Sequence, residues 1–398
     1  MPLFGQLSEN VIVGIRVAAT LIVGASAAFS ISILTSGQLK SITSEASIAF
    51  ASLIIIQSLC VTLAKVGLDS SIVALLSRRK DVERRYILPT WFKHYVLLVT
   101  TTCALGAAYY FSSWELGACL LITTLLDTFA VLKIAELTAK RQVFTTLVAN
   151  MLRHPFLLAT IAVTATITTI SLRVFSILYL VSALARFIYL MLREHKVLES
   201  VNLDIGVGLM AAQQILNFLV FRIDQLTARI VFENEDSARR FLYFMSYSDM
   251  TLVGVASVGG IIFPQFLQHL ASITHTQVYR SAFTTSILMA TGIGLGFTLY
   301  ASFFVGRSAS VLEAFCIITA ATVGSHVNFQ AFLAYRSNNL RVLVFAQAAG
   351  LCVALILLLM IKWFAYDFLL YTICPIALTV TSMSFWKKFN LSRLPGLL

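Results

Sequence analysis

The residues with chemical potential in this chain are ionisable groups set inside long apolar stretches. In the first half these are Arg16, Lys65, Asp69, Asp127, Arg153 and Arg186, with Lys133 and Glu136 near the end of a stretch. In the second half one stretch carries Arg222, Asp224 and Arg229, and a later one carries Asp249. An ionised side chain at membrane depth costs a few kcal/mol on insertion scales unless it is paired or hydrated, so such groups mark binding sites, relays or ion pairs. Guanidinium and ammonium groups gathered in one space would hold a phosphate or carboxylate. A buried carboxyl could instead carry a proton or ion. Asp127, near the middle of its stretch, is the leading candidate for that coupling role, joined by Asp69 and Asp224. A neighbouring cation at Asp127 would hold it ionised.

Gln213, Asn217 and Asp224 are four and seven residues apart, which keeps them on one side of a helix, and Arg222 and Arg229 share a neighbouring face. This stripe suits either the wall of a central cavity or hydrogen bonds between helices. Lys65 and Asp69 are four apart and could neutralise one another on one helical face. Each long basic side chain could also extend separately to the headgroups.

The chain that positions these groups has 398 residues, 59% hydrophobic and only 12% charged. Soluble domains carry roughly 25% charged residues. With a mean hydropathy of +0.88, a soluble enzyme, a nucleic-acid binder and a disordered chain are excluded. Apolar stretches run over about 11–34, 47–76, 88–112, 115–135, 144–168 and 174–192, then 205–230, 238–268, 281–304, 309–334, 340–363 and 367–385. Each is long enough to cross a bilayer as a helix. The expected fold is therefore an all-α integral membrane protein of about twelve transmembrane helices, in two six-helix bundles around a central cavity. The polar segment Arg193–Asn202 divides them, giving an N-terminal bundle over 1–195 and a C-terminal bundle over 196–398.

Orientation follows from the formal net charge of +11. With both termini cytoplasmic, one face receives Arg78, Arg79, Lys80, Arg84 and Arg85, then Lys140, Arg141, Arg193, Lys196, Arg280, Arg336 and Arg341, and finally Lys387, Lys388 and Arg393. The other receives Lys40, Arg173, Arg239, Arg240, Arg307 and Lys362. The excess marks the first face as cytoplasmic. In that orientation Arg16, Lys65, Arg153 and Arg186 all fall in the inner half of the first bundle, where they could form a cationic chamber. The first stretch has Glu9 ahead of it and no basic leader, unlike a signal peptide.

Other chemistries find no support. There is no phosphate loop of the GxxxxGK[ST] type, no HExxH and no GxSxG. The six histidines are scattered, and His154 reads as structural. The six cysteines lie one per apolar stretch without metal-type spacing and read as packing residues. No catalytic residue, metal or cofactor is expected. Pro155, Pro264 and Pro375 fall inside stretches and permit kinks.

Three local patterns carry a resemblance. Val66-Gly67-Leu68-Asp69-Ser70-Ser71 closes the second stretch before a basic loop, Phe221-Arg222-Ile223-Asp224 lies in the seventh, and Phe263-Pro264-Gln265-Phe266 closes the eighth. With the layout, they make the chain similar to the Wzx-type polysaccharide (O-antigen) flippases of the multidrug/oligosaccharidyl-lipid/polysaccharide exporter superfamily. The resemblance implies a bacterial inner-membrane protein that moves undecaprenyl-pyrophosphate-linked oligosaccharide from the cytoplasmic to the periplasmic leaflet by alternating access, in lipopolysaccharide biosynthesis. Arg16, Lys65, Arg153 and Arg186 would be the cavity cations that hold the headgroup, with Arg222 opposite. Implied partners are the lipid-linked substrate, membrane lipids, and a polysaccharide polymerase and chain-length regulator; no nucleic acid is implied. The alternatives are a cation-coupled small-molecule exporter of the same superfamily, or a membrane-embedded polysaccharide polymerase or ligase. The latter class would need a long external loop, and the loops here are short.

Overall fold

A computed structural model describes residues 42–77, 84–88, 90–140, 142–193, 199–202, 207–232, 310–336, 339–364 and 369–388, part of 237–245, and a few isolated positions. The chain folds as an all-α, multi-pass membrane protein. Its helices are α1 (Ser44–Lys65), α2 (Leu68–Ser77), α3 (Thr90–Phe111), α4 (Trp114–Ala139), α5 (Val143–Met151), α6 (His154–Ala165) and α7 (Leu172–Met191). They continue with α8 (Val207–Val231), α9 (Val311–Arg336), α10 (Leu340–Phe364) and α11 (Leu370–Lys388). Among the described residues, five helical segments are long and apolar enough to cross a membrane: Trp114–Ala139, Phe144–Ala165, Leu172–Met191, Val311–Asn328 and Leu340–Ile361. The stretches at 11–34 and 281–304, and most of 238–268, lie outside the described residues, so the count of twelve rests on sequence.

Helix α7 shows why such a sequence folds inside out. Ile177, Val181, Leu184 and Ile188 recur at helical spacing and are exposed. The opposite face buries Phe175, Ser176, Tyr179, Ser182, Ala183 and Leu190. In lipid an exposed isoleucine costs nothing, whereas a hydroxyl needs a partner, so the polar stripe turns inward. Tyr109, Trp363 and Ile167 are likewise exposed.

Two stretches expected as single spans are each divided into two helices. Between α1 and α2 the chain turns at Val66 and Gly67, with φ of 49° and 74°. This left-handed region suits glycine and is unfavourable for a β-branched residue. Between α5 and α6 the cause is Pro155 in the first turn of α6. Proline lacks an amide donor and disfavours helical backbone just before it, so a new helix starts there.

Apolar cores form on either side of the polar segment. Leu53, Leu120, Leu157, Ile161, Phe175 and Tyr179 belong to one cluster, and Ala64, Leu68, Ile72, Phe92 and Val96 to another. In the second half Val220, Phe241, Phe244, Ile317, Ile373 and Leu378 share a core that also takes in Ile55. Helices α10 and α11 pack closely: a Cβ on Gly350 would lie 2.6 Å from the Ala377 carbonyl oxygen. One short strand pair was not anticipated. β1 (Arg84–Ile87) and β2 (Glu199–Asn202) run parallel, from Arg84 opposite Glu199 to Ile87 opposite Asn202.

Candidate functional site

Among the described residues, a buried polar constellation centred on Asp127 of α4 lies inside the first set of helices. Both carboxylate oxygens are taken by donors. Gln57 Nε2 of α1 donates to Oδ2 at 2.7 Å, Arg153 Nε to the same oxygen at 3.0 Å, and Arg186 Nη1 of α7 to Oδ1 at 3.1 Å. Three N–H donors and no acceptor around the group describe a carboxylate.

Arg153 occupies the break between α5 and α6, at the cap position before Pro155. The interruption turns its side chain into the bundle, where it is 3% exposed. Its Nη1 donates to the Tyr179 carbonyl oxygen at 3.2 Å and to Ser182 Oγ at 2.5 Å. Its Nη2 donates to Gln57 Oε1 at 3.2 Å, an oxygen that also accepts from the Tyr179 hydroxyl. The guanidinium lies 4.1 Å from the Tyr179 ring centroid, a cation–π contact. Arg153 is thus held on every side by protein groups.

Arg186 is held more loosely. Tyr179, Ser182 and Arg186 are spaced three and four apart on α7, which places them on one face. Arg186 Nη2 donates to Asn150 Oδ1 of α5 at 3.2 Å, while its buried Nε has no partner among the described residues. Nearby His154 Nδ1 is also buried and unpartnered among them. Among the described residues, one carboxylate against two guanidiniums leaves one positive charge in excess at this centre.

The remaining predicted residues fall into separate groups. Lys65 Nζ donates to Asp69 Oδ2 at 2.7 Å, and Gln214 Nε2 of α8 donates to Asp69 Oδ1 at 2.7 Å. Lys65 therefore sits with Asp69 at the contact with α8, and its ion pair is with that carboxylate rather than Asp127. On α4, Glu136 accepts from Lys133 at 3.0 Å and Lys140 at 2.6 Å. In α8, Gln213 and Asp224 are buried, and Asn217 Oδ1 accepts from Gln347 Nε2 of α10 at 2.8 Å. Arg222 Nη1 donates to Gln225 Oε1 at 2.8 Å. Arg16, Asp249 and Pro264, and the side chain of Arg229, lie outside the described residues. No cluster of His, Cys, Asp or Glu among the described residues is arranged to hold a metal ion.

Sequence reasoning missed Gln57, Asn150, Tyr179, Ser182 and Gln214. Gln57 was findable, as an amide within an otherwise apolar run. Tyr179 and Ser182 were not, because hydroxyl residues are common in membrane helices and gain meaning only from facing Arg153.

No protein-family model matches the chain, and no curated protein does. Solved structures do. A eukaryotic MATE transporter, AtDTX14, is 13% identical over 97% of this chain and 97% of its own, with a TM-score of 0.68. A multidrug resistance MATE family transporter of the MOP superfamily, in its outward-facing conformation, is 12% identical over 94% of each chain, with a TM-score of 0.56. The chain has the fold of these membrane transporters along nearly its whole length.

Proposed function

We propose that this chain, built on the MATE-transporter fold, is a transporter whose cargo carries an anionic headgroup, and that the cargo is a lipid-linked oligosaccharide. The carrying observation is the Asp127–Arg153–Arg186 centre with its uncompensated positive charge. A buried net charge costs several kcal/mol unless a counter-ion meets it. Among the described residues Arg153 and Arg186 share a single carboxylate partner, Asp127. A diphosphate would meet the excess, and Arg186 Nε is a donor available to it. Arg16 and Arg222 with Gln213 and Asn217 complete the proposed substrate-binding set, and Asp224 is the proposed ion-coupling group. Lys65 and Asp69, paired with each other at α8, and Asp127, held ionised between two arginines, are set aside from the substrate-binding and coupling roles the sequence suggested for them. The proposed layout is two bundles, 1–195 and 196–398, with both termini on the cytoplasmic side of a bacterial inner membrane.

The competing reading, a cation-coupled small-molecule exporter, draws support from the likeness to a multidrug resistance transporter. A cationic drug needs an accessible carboxylate. Asp127 is enclosed by two arginines and Gln57, which favours the anionic cargo. The test is flipping of a fluorescent undecaprenyl-diphosphate oligosaccharide in proteoliposomes. Arg186→Gln removes one charge-assisted contact and is expected to slow flipping about 10–100-fold with folding retained. Wild-type protein that flips no such lipid but exports a cationic dye would overturn the assignment.

A further inference from the structure

The start of α8 is seated against the break between α1 and α2. The seam has almost no room: a Cβ on Gly67 would lie 2.8 Å from both Ala211 N and Met210 C. Only glycine permits that backbone approach together with a φ of 74°. Two residues on, Asp69 accepts Gln214 Nε2 across the same seam at 2.7 Å, while Lys65 holds the other oxygen at 2.7 Å. Ser71 Oγ donates to Met210 Sδ at 2.9 Å.

A second contact joins the same two parts of the chain. β1 follows α2 and β2 precedes α8, and they pair in parallel over four residues each. The first contact ties the α1–α2 break to the start of α8, and the second ties the strand that follows α2 to the end of the polar segment that leads into α8. Close contacts of this kind do not stretch. A shift of an ångström or two loses the Gly67 approach and the Asp69–Gln214 hydrogen bond together, so the seam is either closed or open.

The geometry points to a conformational clasp: Gly67 seated on Met210–Ala211, with Asp69 bound to Gln214, holds the face between the α1–α2 break and the start of α8 closed and must part for that face to open. Lys65 serves it by orienting and neutralising Asp69. The clasp is independent of what the cargo is.

The test uses the full-length chain in lipid nanodiscs, with native cysteines replaced and one introduced by Ser71→Cys. Labelling by a membrane-impermeant maleimide reports opening. The parent is expected to label slowly. Gln214→Ala should raise the rate about tenfold or more, the factor for a lost charge-assisted hydrogen bond, and Gly67→Ala should raise it further. A Ser71→Cys/Met210→Cys pair, once cross-linked, should hold the face closed and stop turnover. Parental labelling rates in a monodisperse Gln214→Ala protein would overturn the proposal, as would full turnover in the cross-linked pair. If Gly67→Ala does not fold, Gln214→Ala, which removes the hydrogen bond to Asp69, still decides.

Discussion

Replacing Asp127 by Asn is the most informative single change, because it removes a charge while nearly preserving shape. The carboxylate accepts from Gln57, Arg153 and Arg186 at 2.7–3.1 Å. Asparagine retains one acceptor oxygen and turns an NH2 group toward guanidinium donors, leaving Arg153 and Arg186 as two buried cations without a counter-charge. Breaking a buried ion pair from one side costs about 3–5 kcal/mol. For a cooperative unit of about 200 residues, roughly 2 °C of Tm is lost per kcal/mol, so Asp127→Asn should melt about 6–10 °C below wild type. The assay is thermal unfolding of the full-length chain in detergent. Asp127→Asn/Arg186→Gln removes one charge of each sign and should recover about 0.5–3 kcal/mol of the loss, the range of coupling energies for residues in contact. An Asp127→Asn protein within about 1 °C of wild type, or a double variant no more stable than the single one, would show that Asp127 is not the counter-charge of these arginines.

Three further outcomes follow from named contacts. Pro155→Ala should let α5 and α6 join and displace Arg153 from Asp127; trypsin accessibility and Tm of the full chain report it, and a Tm drop of under about 1 °C would count against the break as the device that positions Arg153. Gly350→Ala, whose methyl meets the Ala377 carbonyl oxygen at 2.6 Å, should lower stability by about 1–3 kcal/mol, read as a lower Tm. Glu313 accepts Arg240 Nε and Nη2 at 2.9 Å each and the Tyr371 hydroxyl at 3.0 Å. Glu313→Ala should therefore destabilise the second half by about 2 kcal/mol or more, while Arg240→Ala, at the exposed side of the pair, should cost less.

How much of this was legible in the residues depends on the kind of interaction. Span positions were legible because lipid imposes one rule on every residue: helices α3, α4, α7, α8, α9, α10 and α11 fall close to the apolar stretches. Asp127, Arg153 and Arg186 stood out because charge at membrane depth is rare. Their convergence was not legible, since it depends on how α4 and α7 rotate about their axes and on the interruption at Pro155. Lys65 shows the other side of the same problem. Depth alone grouped it with Arg153, whereas its partner is Asp69, four residues away on the local chain, and the i,i+4 spacing had offered that pairing as well. The seam at Gly67 was not legible, because a glycine at the end of an apolar stretch says nothing about which helix approaches it.

The buried guanidinium excess around Asp127 is proposed to receive an anionic headgroup. Direct binding of undecaprenyl diphosphate to the purified full-length chain, measured by native mass spectrometry against undecaprenol, tests it. The diphosphate should be retained over the alcohol, with about a tenfold or greater loss of that retention in Arg186→Gln. Equal binding of alcohol and diphosphate, or a diphosphate affinity unchanged in Arg186→Gln, would contradict it.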